Sequence, residues 1–321
     1  MPCDSGLKTG DSGGDDTAQS TPKRGQKAWP PAGPNGPPKP YVLAAMQEAG
    51  PDDALFRLTD VTTLEDHEVL DVECTPYTGG PWSPDHQHGG AVAALLSFAL
   101  DRMPSPGPMR LARITLDMFR GVPLTPLRAE TRITRGGRRI QALDTTLFAA
   151  ETPVARASGL RVRTDDTLEE LDAPLPMDPE LGAPPATVPE FGIRDGIGHI
   201  PGFAYACEIM VERAEACGIP ATTWARLRCP VVEGHPASAV VQMAAIVDFA
   251  SGTGNAMDYE RFTSINPDLS IHVIREPRSD WIGLRGRTSR AADGIGQSDA
   301  RVYDVEGLVG RASATLLLDR R

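Results

Sequence analysis

The chain has 321 residues, and its 43 acidic against 32 basic residues give a formal net charge of −11. This balance argues against nucleic acid or an anionic membrane as the main partner, while a local basic patch for a phosphorylated ligand stays compatible with it. The five cysteines are an odd number without a CxxC pair. They indicate neither a disulfide framework nor a structural zinc site, so a reducing cytoplasm is the expected location.

Residues 1 to 45 have the composition of a disordered tail. The first 40 hold eight prolines and seven glycines, but among the large aliphatic residues only Met1 and Leu7. This is too little apolar surface to offset the entropy of ordering the chain. The segment lacks the apolar core of a signal peptide, and no run approaches the ~20 apolar residues of a transmembrane helix. Export and membrane spanning are therefore not expected.

A first folded domain is predicted over residues 50 to 163. Alternating apolar and β-branched residues predict strands at 68–74, 110–120, 127–134, 139–149 and 154–163. Between the first two strands, residues 89 to 103 are apolar or small around nearly the whole circumference of a helix, with Asp101 and Arg102 as the charged exceptions. Such a helix is buried on several sides. The sheet is therefore expected to curl around it.

The same plan recurs in the second half of the chain. Residues 164 to 200 hold six prolines and predict a linker. Residues 201 to 321 then predict strands at 203–212 and 222–229, a helix at 238–252, and strands at 269–275, 281–289, 296–304 and 310–318. A constant offset of 155 pairs Arg120 with Arg275, Arg132 with Arg287, Arg135 with Arg290, Asp144 with Asp299, and "VARAS" (154–158) with "VGRAS" (309–313). The shared offset indicates a duplicated unit.

The predicted fold class is α+β, with two tandem curved antiparallel sheets that each wrap around a central helix. This order of elements, the helix entry "HQHGGAVAALL" and the C-terminal run that begins "INPDLSIHVIREP" resemble the double-hotdog acyl-CoA thioesterases of the thioesterase II type. The resemblance covers about residues 50 to 319 and is strongest in the last sixty. It implies a double hotdog fold and hydrolysis of acyl-CoA by a positioned water, without a cofactor.

The stretch "HQHGGA" is the first candidate site. The first N–H groups of a helix have no intrahelical partner and lie at the positive end of its dipole, and glycine lets a ligand approach the backbone. His88, Gly89 and Gly90 are therefore candidates to bind the oxyanion of a thioester. On the residues alone, an ordinary helix start capped by Asp85 explains the stretch as well. No further His or Cys cluster completes a metal shell of about four ligands, so no metal is expected.

The second candidate site follows from the resemblance. Thioesterases of this type use an aspartate at the head of a strand, a hydroxyl residue on the next strand and a glutamine on the last. Carried over by motif, the aspartate is Asp268 and the hydroxyl is Thr288, and the two are expected to hold one water. The third position falls on Ala314 or Thr315, depending on strand register, so the glutamine is missing. Thr315 is the predicted third member, and Gln297 on the neighbouring strand is a substitute.

Asp248 is the one acid in a predicted helix that is otherwise apolar. Burying it without a partner would cost several kcal/mol or raise its pKa. Two interpretations follow: Asp248 faces the active cleft as a substrate-binding residue, or it pairs with an arginine such as Arg275.

Two other functions remain compatible with the sequence. A hotdog enoyl-CoA hydratase would use an Asp/His pair, for which Asp85 and His88 are the local candidates. A non-catalytic protein that binds acyl-CoA or an acyl carrier would explain the missing glutamine. The expected partner is in every case an acyl thioester, and a homodimer is compatible with the exposed edge strands.

Overall fold

The computed structural model describes residues 47–321 apart from 166, 169, 170, 172, 187–201, 213 and 215. The predicted tail over residues 1 to 45 and part of the predicted linker therefore lie outside the described residues.

The first half of the described chain contains one long helix and six strands. The elements are β1 (Phe56–Thr63), β2 (His67–Cys74), α1 (Gly89–Arg102), β3 (Met109–Met118), β4 (Leu127–Arg135), β5 (Ile140–Ala149) and β6 (Thr152–Arg163). A short 3₁₀ helix, Pro76–Thr78, precedes α1.

The second half follows the same order with two additions, the one-turn helix α2 and the strand β9. The elements are α2 (Gly202–Tyr205), β7 (Cys207–Val211), β8 (Ala221–Leu227), α3 (Ala239–Val247), β9 (Phe262–Ile265), β10 (Asp268–Val273), β11 (Ile282–Arg290), β12 (Ile295–Asp304) and β13 (Gly307–Arg320). The chain leaves α3 in a 3₁₀ turn, Asp248–Ser251.

The strands form one antiparallel sheet in the order β1-β2-β4-β5-β6-β3-β10-β13-β12-β11-β8-β7, and β9 pairs with the end of β13. The second half of this order repeats the first in reverse, so the two halves meet where β3 pairs with β10. In that pairing Thr115 lies opposite Ser270, and these two residues are 155 positions apart. The ends of β4 and β11, and of β5 and β12, differ by the same 155 residues. The predicted duplication is therefore confirmed by strand boundaries and by register.

Most predicted strands are confirmed within a few residues, and the differences have local causes. Strand β1 was not predicted because most of its side chains are exposed at the sheet edge, which weakens the apolar alternation. Residues 202–205 form a helical turn instead of extending β7, and the helix predicted over 238–252 ends as an α-helix at Val247.

Helices α1 and α3 pack against each other on the buried side of the sheet. Helix α1 contacts β3 to β6, whereas α3 contacts β8, β10 and β11. From Gly90 to Leu100 every residue of α1 is buried, as its uniformly apolar sequence predicts. The start of α1 lies against the end of α3, since a Cβ added to Gly90 would collide with the carbonyl oxygen of Ala245. Glycine is thus required for this helix contact.

The C-terminal end of α1 is held by a buried guanidinium. Arg161 on β6 is only 4% exposed and donates to the carbonyl oxygens of Leu100, Asp101 and Met103 at 2.6 to 2.9 Å. Burial lowers the pKa of Arg161, but an arginine remains charged and satisfies carbonyls that the helix leaves unpaired. This contact fixes α1 to the sheet at the end opposite to Gly89.

We expect Arg161→Met to lower the free energy of unfolding by about 2–4 kcal/mol, because it leaves several buried carbonyl groups without donors. Urea unfolding followed by tryptophan fluorescence measures this loss. The matched variant is Arg156→Met, because Arg156 is on the same strand and its side chain is 64% exposed in an ion pair with Asp117. That variant should lose less than about 1 kcal/mol, and equal losses in the two variants would contradict the role given to Arg161.

Candidate active site

Helix α1 begins at a histidine that caps its own helix. His88 has extended backbone angles, φ −73° and ψ 140°, and its Nδ1 accepts the N–H of Gly90 at 3.0 Å. Within the described residues the N–H of Gly89 has no hydrogen-bond partner, as expected for the first residue of a helix. The start of α1 therefore presents an unpaired amide donor and an imidazole side by side.

Asp248 brings a carboxylate to the same point. It follows α3 directly and is 3% exposed. Its Oδ2 lies 3.1 Å from Nδ1 of His88, and its Oδ1 accepts the side-chain N–H of Asn266 at 2.7 Å. A Cβ added to Gly89 would stand 2.7 and 2.9 Å from the two carboxylate oxygens. The carboxylate thus lies over the first turn of α1, where the positive end of the helix dipole stabilises it.

The Nδ1 atom of His88 has two neighbours, and it cannot form hydrogen bonds with both of them in one protonation state. Without a proton, Nδ1 accepts the N–H of Gly90; with a proton, Nδ1 donates to the ionised carboxylate of Asp248. In the second state the N–H of Gly90 is released beside the free N–H of Gly89. The position of one proton therefore decides how many backbone donors point outward from α1.

Aromatic rings hold the imidazole in place. The ring of His88 stacks on Phe203 with centroids 4.6 Å apart and lies 5.2 Å from Phe249. Phe203 belongs to α2 and is fully buried. The side chain of His88 keeps 12% exposure, so the imidazole is held mostly inside the protein.

Thr288 lies deeper on the buried face of the sheet. It is fully buried, and its hydroxyl donates to the carbonyl oxygen of Thr253 at 3.5 Å. Thr253 in turn donates to the carbonyl oxygen of Phe249, within the 3₁₀ turn that begins at Asp248. Thr288 is therefore connected to the backbone of the turn that carries the buried carboxylate.

Asp268 and Thr315 lie on the opposite face of the sheet from Thr288. Asp268 alternates with the buried Leu269, and its Oδ1 accepts the backbone N–H of Thr315 at 2.7 Å. The side chain of Thr315 is exposed, whereas that of Ala314 is buried. The register thus gives the inward position expected for the family glutamine to Ala314. The register therefore gives the side chains of Asp268 and Thr288 opposite faces of the sheet.

The remaining candidate residues fall into two groups, those at the start of α1 and those elsewhere. His88, Gly89, Gly90 and Asp248 come together, as described above. Asp85 is exposed and is not bonded to His88, and Gln297 is also exposed. Arg275 pairs with Asp304 instead of Asp248.

Sequence reasoning missed Asn266. Its amide is buried because the chain bends at Asn266 and Pro267, between β9 and β10, and this bend turns the side chain toward Asp248. The available signal was Asp248 itself, since a buried carboxylate needs hydrogen-bond donors. The sequence alone does not say which residue supplies them.

No metal site accompanies the cluster: among the described residues, no group of three or more His, Cys, Asp and Glu side chains has the arrangement to hold an ion. In the same part of the chain, no helix has the length and apolarity needed to cross a membrane.

Three solved structures illustrate the likeness of the fold. A hot dog fold protein from Alicyclobacillus acidocaldarius has a TM-score of 0.61 at 13% identity, covering 81% of this chain and 96% of its own. The tesB protein of Mycobacterium avium subs paratuberculosis has a TM-score of 0.61 at 14% identity, with 82% and 95% coverage. The acyl-CoA thioesterase II TesB2 of Mycobacterium marinum has a TM-score of 0.55 at 14% identity, with the same coverage. The chain is thus a hotdog-fold protein.

Family models give the narrower identification. The model of the acyl-CoA thioesterase N-terminal domain matches residues 78–162, and that of the C-terminal domain matches residues 174–318. Together they take in more than two thirds of the chain, so it belongs to the acyl-CoA thioesterase family. A comparison with curated proteins finds no match.

Cys74 carries a thiol next to the residue that precedes His88, since its Sγ accepts the side-chain N–H of Gln87 at 3.1 Å. Burial, with a smaller contribution from the charge of Glu73, raises the pKa of the Cys74 thiol to about 12. The thiol is therefore almost entirely protonated at neutral pH and is a poor nucleophile.

We expect Cys74→Ala to keep the wild-type kcat, and we expect Cys74 in the native protein to resist iodoacetamide at pH 8. Peptide mass mapping of alkylated native protein against urea-unfolded protein measures the resistance. Rapid alkylation of native Cys74, accompanied by loss of activity, would contradict this assignment.

Proposed function

We propose that this thioesterase hydrolyses an acyl-CoA to the free acid and CoA at the start of α1, with a water activated by Asp248. The observation that carries the proposal is the placement of a buried carboxylate over a helix N-terminus whose first amide is unpaired. Hydrolysis needs both: a base for water and donors for the oxyanion.

The amide of Gly89 is the proposed oxyanion donor. Developing negative charge on the thioester oxygen meets the positive end of α1 there. The absence of a side chain at Gly89 supports this role, because a Cβ would collide with the Asp248 carboxylate and would stand in the way of a ligand.

Asp248 is the proposed base. Asn266 occupies one carboxylate oxygen and thereby orients the group, while the oxygen near His88 faces the helix start. The carboxylate removes a proton from water as the water oxygen bonds to the thioester carbon. The tetrahedral intermediate then collapses, the carbon–sulfur bond breaks, and the CoA thiolate leaves and takes up a proton.

His88 is proposed to couple the two halves of this site. When its Nδ1 carries a proton and donates to Asp248, the Gly90 amide is released from capping and joins Gly89 as a second oxyanion donor. The hydrogen bond from His88 to Asp248 then orients the base and also frees the second oxyanion donor. The hydrolysis proposed here uses neither a covalent acyl-enzyme nor a cofactor.

Asp268 and Thr315 have no reacting role in this proposal. The hydrogen bond between the Asp268 carboxylate and the backbone N–H of Thr315 lies on the outer side of the sheet, away from the helices. Thr288 keeps a supporting role through its contact with Thr253 and the turn after Asp248.

We further propose that the chain is a double hotdog, with α1 central to the first sheet and α3 central to the second. The 155-residue repeat, the mirrored strand order and the separate strand contacts of α1 and α3 support this. A cytoplasmic location and assembly into a homodimer are likewise proposals. The exposed edge strand β1 supports assembly, because unpaired strand edges favour association.

Two aspartate variants distinguish the proposed base, Asp248, from Asp268, the aspartate that the family motif predicts. Asp248→Asn should lower kcat about 10²–10⁴-fold, because it removes the base without changing the size of the side chain. Asp268→Asn should stay within a few-fold of the wild type. Thiol release from short, medium, long and aromatic acyl-CoAs measures both, and Asp299→Asn serves as an exposed control on β12.

The opposite pattern, an inactive Asp268→Asn beside an active Asp248→Asn, would overturn the assignment to the helix start.

The His88–Asp248 pair is also the Asp/His arrangement that a hydratase requires. The same assays should therefore record the absorbance of an enoyl thioester. Loss of that absorbance without thiol release would indicate a hydratase, and binding without turnover would indicate a binding protein.

A further inference from the structure

Ser298 carries a buried hydroxyl that the proposed mechanism does not use. Its side chain is fully buried, and its Oγ has no hydrogen-bond partner among the described residues. An unpaired hydroxyl in a protein interior destabilises the fold relative to an alanine of the same backbone position. A partner that does not belong to the protein removes this penalty.

The neighbours of Ser298 place it in a row across three strands. Thr288 on β11 lies directly opposite Ser298, and Ser298 lies directly opposite Ala314 on β13. All three side chains point to the buried face. Directly opposed residues have Cβ atoms about 4.5–5.5 Å apart, which lets two hydroxyls share one small ligand between them.

The turn that carries Asp248 packs on the same three strands that carry this row. The 3₁₀ turn Asp248–Ser251 contacts β11, β12 and β13, and Thr288 is bonded to Thr253 just after that turn. Ala314 stands at the inward position where the family resemblance expects a glutamine. A methyl group there supplies no hydrogen bond, whereas Ser298, directly opposite on β12, carries a buried hydroxyl.

We propose that Ser298, together with Thr288, holds the reacting water below Asp248 and so takes over the part of the missing glutamine. The inference rests on the proposed hydrolysis at the start of α1 and adds a residue that contacts its water. Each hydroxyl offers one donor and two acceptor positions. Two of them can therefore hold the water and still leave one of its protons for Asp248.

The experiment compares Ser298→Ala with the double variant Ser298→Ala, Ala314→Gln. Ser313→Ala is the control, because Ser313 is on the neighbouring strand and faces the other side of the sheet. We expect Ser298→Ala to lower kcat roughly tenfold or more with KM nearly unchanged, since one water ligand is lost. Its Tm should stay close to that of the wild type, because Ser298 makes no hydrogen bond to another described residue that the variant could lose. The glutamine should restore part of kcat.

The outcomes are distinct for this inference and for the underlying function. A wild-type kcat in Ser298→Ala, while Asp248→Asn is inactive, overturns the role of Ser298 and leaves the proposed function intact. A parallel fall in kcat and Tm without rescue by glutamine means that Ser298 only packs, which also overturns it. An active Asp248→Asn overturns the proposed function itself.

Discussion

The contact between the Asp248 carboxylate and the first turn of α1 is the interaction on which the rest of the site depends. A carboxylate that is 3% exposed must be compensated, and here the compensation comes from the Asn266 amide, the imidazole of His88 and the positive end of a helix. The approach is close enough that only glycine fits at positions 89 and 90. The same features that stabilise the carboxylate in the interior also place it beside the unpaired backbone amide of Gly89.

Duplication explains how the chain positions this contact. The two halves meet at the pairing of β3 with β10, and their helices pack so that the start of α1 faces the end of α3. The two helix starts have diverged. Helix α3 begins after Ser238, whose Oγ caps its own helix by accepting the N–H of Val241, whereas α1 begins with His88 and two glycines. In the proposed mechanism only the start of α1 takes part in the reaction, and the start of α3 serves packing.

Much of the architecture could be predicted from sequence because it follows from periodic patterns. Apolar alternation indicated most strands, and the uniformly apolar α1 indicated a helix buried on several sides. The offset of 155 indicated the repeat that Thr115 and Ser270 confirm in the sheet. Edge strand β1 was not predicted because most of its side chains are exposed, which weakens the alternation of apolar and polar residues. For the candidate site, the glycines at the start of α1 could be recognised in the sequence. The face of the sheet on which Asp268 and Ala314 lie could not, because it depends on strand register, which one sequence does not fix.

The most direct measurement is a crystal structure of the protein with a non-hydrolysable ketone analogue of an acyl-CoA, in which a methylene group separates sulfur from the carbonyl carbon. We predict that the carbonyl oxygen lies about 2.7–3.1 Å from the Gly89 amide, with the Asp248 carboxylate on the side from which water attacks. A carbonyl bound beside Asp268 on the outer face of the sheet, with α1 left uncontacted, would contradict it.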